Sequence, residues 1–336
     1  MYLPSHPLTE HEQSHRFVST GTMPDRATVT ALVRQAYEKF AGVDEGTLSQ
    51  VYPALAQADP SAFGIFLAGV DGAVQGVGAS DARFTLMSVT KPFVFALACD
   101  ALGIDAIRRL VGVNATGLPF NSAQAVERTS DGRTNPMVNA GAIATTSAIP
   151  GEGVDERWAA LHEGLSRFAG RPLGMDEATL ASARATNFQN RALAMLLSGA
   201  EALVGDPLDA VDLYTRQCCL EVSAQDLAIM GATLADGGVH PITGQRVVSE
   251  VVARASLAVM SIAGMYESSG DWLLDVGVPG KSGISGGVVA ISPGKGALGV
   301  FSPLLDNEGN SVRGQLVAQF LARELGLDVL GSAPAH

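Results

Sequence analysis

Apolar positions change their spacing several times along the chain, and each change marks a different kind of element. Residues 1–27 are polar and rich in His, Pro and Ser, and read as a poorly ordered tail. From Ala27, the stretch ATVTALVRQAYEKFAG places apolar residues at helical spacing and stops at Gly42, which predicts a helix. Between Phe63 and Gly78 two short apolar runs flank Asp71-Gly72, a β-hairpin signal. From about Ser88 to Asp271 the pattern turns helical, over FVFALACDAL, residues 155–168, NRALAMLLSGAEALV and LDAVDLYTRQCCL. Turn clusters GLPFNSAQ and SDGRTNP separate these pieces. Beyond Lys281 two strand-like runs, GGVVAISPG and KGALGVFSPLLD, surround Pro293-Gly294, and an amphipathic helix over 311–325 follows.

Strands near both ends with helices between them predict an α+β fold, in which distant segments build one antiparallel sheet flanked by helices and an all-helical lobe is inserted. A single domain over 28–328 follows. Its sheet part lies at about 60–87 and 281–328 and its helical lobe at about 88–280, with 329–336 as a second tail. No repeat is visible. The cleft between sheet and lobe is the expected place for a site.

Composition narrows the function classes. Of 336 residues, 47% are hydrophobic and 17% charged, and the mean hydropathy of +0.22 fits a compact globular chain rather than a disordered one. The net charge of −12 and a pI near 4.9 leave no cationic surface for polyanions, so neither nucleic acid nor an anionic membrane is expected as a partner. The N-terminal residues do not read as a signal peptide, and apolar runs such as FGIFLAGV are too short to span a bilayer. Cys99, Cys218 and Cys219 form no spaced pair, which suits a reducing compartment; a cytoplasmic location is expected.

Positive charge is carried by 18 Arg but only four Lys, at 39, 91, 281 and 295, so any chemistry that needs an amine must use one of these. His6, His11, His15 and His336 lie at the ends. His162 and His240 remain for the body of the fold and are expected at the surface, so no metal centre is expected. In FTLMSVTKPFVFALACD, Ser88 and Lys91 stand three apart at the mouth of an apolar helix, which puts an amine within reach of a hydroxyl. Serine is a weak nucleophile that needs an adjacent base, and a lysine with a lowered pKa can serve. Alone, the pair also reads as a helix N-cap beside a snorkelling lysine. A second Ser-x-x-Lys, Ser292 to Lys295, spans a Pro-Gly turn and reads as structural.

Longer segments add a resemblance. RTSDGRTNPMVNAGAIAT, FQNRALAMLL, SIAGMYESSGDWL and VPGKSGISGGVVAISPGKGALGVFSPLLDNEGNSVRGQ occur in order, and from about Ala27 to Leu325 the chain resembles the serine-dependent glutaminase family. That resemblance implies a β-lactamase/transpeptidase-like fold and hydrolysis of the glutamine side-chain amide, with no metal or organic cofactor. It places the nucleophile on Ser88, the base on Lys91, the second cation on Lys281 and a proton relay on Tyr266. Substrate contacts fall on Asn139, Asn190, Tyr214 and Tyr266, and the oxyanion hole on the N–H groups of Ser88 and Ile284. A homodimer or homotetramer is also implied.

Three positions depart from the family. Ser285 stands where glycine is usual, and Val51-Tyr52-Pro53 shifts a pocket tyrosine by one residue. Ala183, seven positions before Asn190, replaces an acidic residue that meets the substrate's ammonium, a charge-assisted contact of roughly 1.5–3 kcal/mol. The alternatives are an amidohydrolase for an amide without a free α-amine or for an N-substituted glutamine, and a non-catalytic protein that binds a small ligand.

Overall fold

In the computed structural model, which describes residues 21–331, a five-stranded antiparallel sheet has the order β2-β1-β8-β7-β6. Its strands are β1 (Gly64–Gly69), β2 (Val74–Gly78), β6 (Gly280–Ser282), β7 (Gly287–Ser292) and β8 (Gly296–Phe301). Three shorter strands, β3 (Phe84–Thr85), β4 (Gly174–Met175) and β5 (Leu220–Val222), make a second sheet in the order β3-β5-β4. Helices α1 (Arg26–Phe40), α2 (Thr90–Leu102), α3 (Ile104–Val111), α4 (Gln124–Glu127) and α5 (Asn139–Ser147) come first. They are followed by α6 (Gly153–Ala169), α7 (Glu177–Thr186), α8 (Phe188–Gly199), α9 (Pro207–Cys218), α10 (Ala224–Ala235), α11 (Glu250–Ala263), α12 (Ser269–Asp275) and α13 (Val312–Glu324).

The main sheet is covered on both faces, so its strands read as continuous apolar runs rather than an alternation. Ile65, Leu67, Val288, Ala290, Leu298 and Val300 face α1 and α13, packing on Val29, Val33, Ala36, Val317 and Leu321. Their neighbours Phe66, Ala68, Val289, Ile291, Ala297 and Phe301 point the other way, to α10 and the lobe. Close approach there depends on Gly299, where a Cβ would stand 2.3 Å from the Ala224 carbonyl oxygen. The two hairpins turn at Gly72 and Gly294, with φ of +80° and +75°, a region that L side chains adopt at a cost.

The inserted segment is helical except for β4 and β5, and β3 lies just before it. These strands are two or three residues long, too short to show a period of two in sequence. Phe84 of β3 stacks on Phe301 of β8 at 4.3 Å, which ties the small sheet to the large one at the entrance to α2. His240 is a correction: it is 2% exposed rather than on the surface. Its Nδ1 accepts the N–H groups of Ile242 and Thr243, closing a turn, and the missing side chain of Gly170 leaves room for the ring. Residues 1–20 and 332–336, which hold nearly all of the N-terminal tail and most of the C-terminal one, lie outside the described residues; α1 begins at Arg26.

Candidate active site

Strand β3 delivers the chain to a 3-10 turn, Met87–Val89, which runs directly into α2. Met87 holds φ +47°, a conformation that a side chain adopts at a cost of about 1–3 kcal/mol and that clusters at functional sites. The Thr90 hydroxyl pins this turn by donating to the Met87 carbonyl at 3.0 Å. Ser88 sits in the turn and is 8% exposed, while Lys91, one helical step further, is 1% exposed.

Lys91 Nζ donates to Met137 O at 3.1 Å and to Asn139 Oδ1 at 2.8 Å. Both acceptors are fixed by the NPMVNAG block. Asn135 accepts the Met137 N–H and donates to the carbonyls of Val113 and Asn114. Gly141 lets α5 seat on the Asn135 carbonyl oxygen, which a Cβ would meet at 2.0 Å. Asn139 starts α5, and its Nδ2 donates to Asn190 Oδ1 at 3.1 Å, which leaves Oδ1 facing Lys91 and the Tyr214 hydroxyl at 3.3 Å.

Lys281 arrives from the sheet. It pairs with Val289 across β6 and β7 and therefore shares that residue's face, the one turned to the lobe. Its Nζ is fully buried and donates to the Ser282 carbonyl at 2.7 Å. The Tyr266 hydroxyl donates to the same carbonyl at 3.3 Å, and Ser88 is close enough to act on its ionisation. The Tyr266 ring lies 4.0 Å from Lys281 Nζ, 6.0 Å from Lys91 Nζ and 4.5 Å from the Phe120 ring. Neither the Ser88 nor the Ile284 N–H has an acceptor among the described residues. Ser285 is accommodated because its hydroxyl donates to Thr85 O at 2.6 Å, anchoring the turn to β3.

Burial and like charge set the electrostatics. Burial pulls the Lys91 ammonium down to about 7, opposed by the Cys218 thiol. Burial, then the nearby Lys91, hold Lys281 well below an ordinary lysine. Burial pushes the Tyr266 hydroxyl up to about 12 against the opposing pull of the neighbouring Ser88 and of its hydrogen bond to Ser282, and raises Tyr214 well above its usual value. No carboxylate is among the groups that shift either lysine.

The structure thus brings Ser88, Lys91, Asn139, Asn190, Tyr214, Tyr266 and Lys281 into one connected cluster. Of the positions that depart from the family, the Tyr52 hydroxyl lies close enough to Asn190 for it to act on the phenol's ionisation, so the tyrosine shifted by one residue still reaches the cluster, and Ala183 is buried on α7. Cys218, one turn after Tyr214 on α9, acts on both Lys91 and Tyr214 and is the neighbour that the sequence pattern did not single out, with only its i, i+4 spacing from Tyr214 as a signal.

Fold and site together define an α+β protein of the β-lactamase-like class. The glutaminase family model matches residues 46–330. "Glutaminase 2" of Yersinia pestis is 56% identical over 318 residues, covering 95% of this chain and 94% of that protein. "Glutaminase" of Mycobacterium marinum (strain ATCC BAA-535 / M) is 44% identical, with coverages of 91% and 96%. Among solved structures, "Probable glutaminase ybaS" superposes with a TM-score of 0.90 at 41% identity, covering 92% of this chain and all of that one. Mglu in its glutamate form gives 0.87 at 38% identity, covering 92% and 71%. The chain belongs to the glutaminase family.

Proposed function

We propose that this site hydrolyses the side-chain amide of L-glutamine to L-glutamate and ammonia through an acyl-enzyme on Ser88. The observation that carries the reading is the environment of Lys91. A neutral amine has two N–H bonds and one lone pair, and here both N–H directions are taken by Met137 O and Asn139 Oδ1. The lone pair is then left for the Ser88 proton, and an ammonium pulled down to about 7 supplies it near neutral pH.

Ser88 Oγ attacks the carboxamide carbon as Lys91 takes its proton, and the N–H groups of Ser88 and Ile284 hold the oxyanion. Collapse breaks the C–N bond; the proton taken by Lys91 passes through Tyr266 to the departing ammonia, leaving a γ-glutamyl ester. Water attacks that ester, Lys91 accepts its proton, and Ser88 leaves with that proton restored. Lys91 and Lys281 are like charges in one buried site, which opposes protonation of both at once. Asn139, Asn190, Tyr214 and Tyr52 contact the amino-acid end.

Ser88→Ala and Lys91→Ala are each expected to abolish ammonia release while keeping the parent's melting transition; parental turnover by Ser88→Ala overturns the reading. The carboxylate-free surroundings of the two lysines and the buried Ala183 favour a second reading, an N-substituted glutamine as the better substrate. Comparing kcat/KM for glutamine and N-acetylglutamine decides it, and a strong preference for free glutamine removes it. A cytoplasmic location is supported by three free cysteines, and a homodimer or homotetramer by Phe188 and Met195, exposed on α8.

A further inference from the structure

Two of the groups assigned to the reaction, Lys281 and Tyr266, converge on one backbone atom, the Ser282 carbonyl oxygen. They reach it from different elements. Lys281 belongs to edge strand β6, and Tyr266 to a 3-10 turn, Tyr266–Ser268, in which the tyrosine holds φ +57°. A non-glycine residue in that region reverts unless its surroundings hold it. Within the turn, the Ser269 hydroxyl donates to Tyr266 O at 2.7 Å and the Ser268 hydroxyl to Met265 O at 2.9 Å.

Besides the Tyr266 hydroxyl itself, a second side chain joins the two elements. Asn310, fully buried in the loop before α13, accepts the Ser282 hydroxyl on Oδ1 at 2.5 Å and donates through Nδ2 to Ser268 Oγ at 3.0 Å. Its own backbone is locked on both sides. Its N–H donates to Asp306 Oδ1 and its carbonyl accepts the Asp306 N–H, each at 2.9 Å. Both ends of the carboxamide are therefore spent on residues one or two positions from a reacting group, and neither on substrate.

We propose that Asn310 is a positioning residue: its carboxamide ties the Lys281 strand to the strained Tyr266 turn and so fixes where the Tyr266 hydroxyl meets Ser88. The proposal rests on Lys281 and Tyr266 acting as assigned in the reaction above. Without the bridge only the 3.3 Å bond of the Tyr266 hydroxyl to Ser282 O is left to hold the turn in register with the strand. Displacements of about 1 Å at reacting groups cost on the order of 100-fold in rate.

Three variants test it in steady-state kinetics with glutamine. Asn310→Ala is expected to lower kcat about 100-fold with KM within about threefold of the parent, because the bridge acts on reacting groups and not on binding. Ser268→Ala cuts the turn end of the bridge, together with the turn's own bond to Met265 O, leaves the strand end untouched and is expected to lower kcat by a smaller factor; it serves even if Asn310→Ala does not fold. Asn310→Asp keeps the shape and the acceptor for the Ser282 hydroxyl, loses the donor to Ser268 Oγ, and places a carboxylate near Lys281. Lys91 and Tyr266 are the titratable groups beside that lysine, Glu267 acts on Tyr266 and Asp306 on the Asn310 backbone, so no carboxylate yet offsets its charge and the added one favours protonated lysine. The acid limb of kcat/KM is then expected to move about one unit to higher pH, while the alkaline plateau stays within about tenfold of the parent. Parental kcat in Asn310→Ala or Ser268→Ala overturns the proposal, as does Asn310→Asp with a collapsed plateau and an unmoved limb. Ser88→Ala reports separately: turnover there overturns the reaction itself, whereas its inactivity beside an unaffected Asn310→Ala overturns only the role of Asn310.

Discussion

Replacing Lys91 by methionine separates burial of the amine from its chemistry. The side chain is 1% exposed, and burial pulls its ammonium from 10.5 to about 7. Above about pH 10.5 the amine is neutral in folded and unfolded chains alike, so its burial carries no charge penalty. As pH falls the unfolded chain binds the proton first, and the folded state loses stability until about pH 7, where it too becomes protonated. Linkage then makes the parent about 2 kcal/mol less stable at pH 7 than at pH 9 through Lys91 alone. Lys91→Met has no such dependence, and it also relieves Lys281 of a like charge, which widens the difference in the same direction. Urea unfolding of both proteins at the two pH values measures it, because groups common to both cancel. The parent's gain from pH 7 to 9 should exceed the variant's by about 2 kcal/mol or more, and a difference under about 0.5 kcal/mol refutes the buried, uncompensated amine. The same ionisation places the acid limb of kcat/KM near pH 7, since only the neutral amine takes the Ser88 proton.

Other predictions follow from single contacts. Tyr52→Phe removes the hydroxyl that meets Asn190, and KM for glutamine should rise about 3- to 10-fold with kcat little changed; a loss confined to kcat excludes a binding role. Asp226 accepts Arg171 at 2.6 and 2.9 Å, Arg83 at 2.7 Å and the capping-box N–H of Ser223 at the start of α10. Both arginines are a third or more exposed and screened by water, so Asp226→Ala should cost about 2–3 kcal/mol, most of it from the cap and the Arg171 fork, read as a melting temperature lower by several degrees. In Gly264→Ala the new Cβ would stand 1.9 Å from Gly280 O and displace β6 beside Lys281, so melting temperature and kcat should fall together. Gly270→Ala, with nothing within 4 Å, should change neither.

What sequence pattern could reveal follows from the range of the interactions. Asp71-Gly72 and Pro293-Gly294 announce their hairpins because the positive φ is a local requirement, and α1 is legible because its apolar stripe repeats within one element. Ser88 and Lys91 are legible as a pair for the same reason, one helical step apart. The remaining site residues became legible only through family blocks. Asn139 and Asn190 are 51 residues apart, and no periodicity connects them.

Asn310 and His240 lie beyond even that reach, since their side chains are given purpose by loops and turns whose positions depend on the whole fold. Asn310 is the clearest case, with partners 28 and 42 residues away on two different elements. The property that makes Lys91 a base is further still from any residue pattern. It comes from what surrounds the amine: burial, and the lack of any carboxylate among the groups that shift it. Lysine rather than arginine at 91 is a precondition, because a guanidinium stays protonated, but the same residue on the surface would titrate near 10.4 and take no proton from serine at neutral pH.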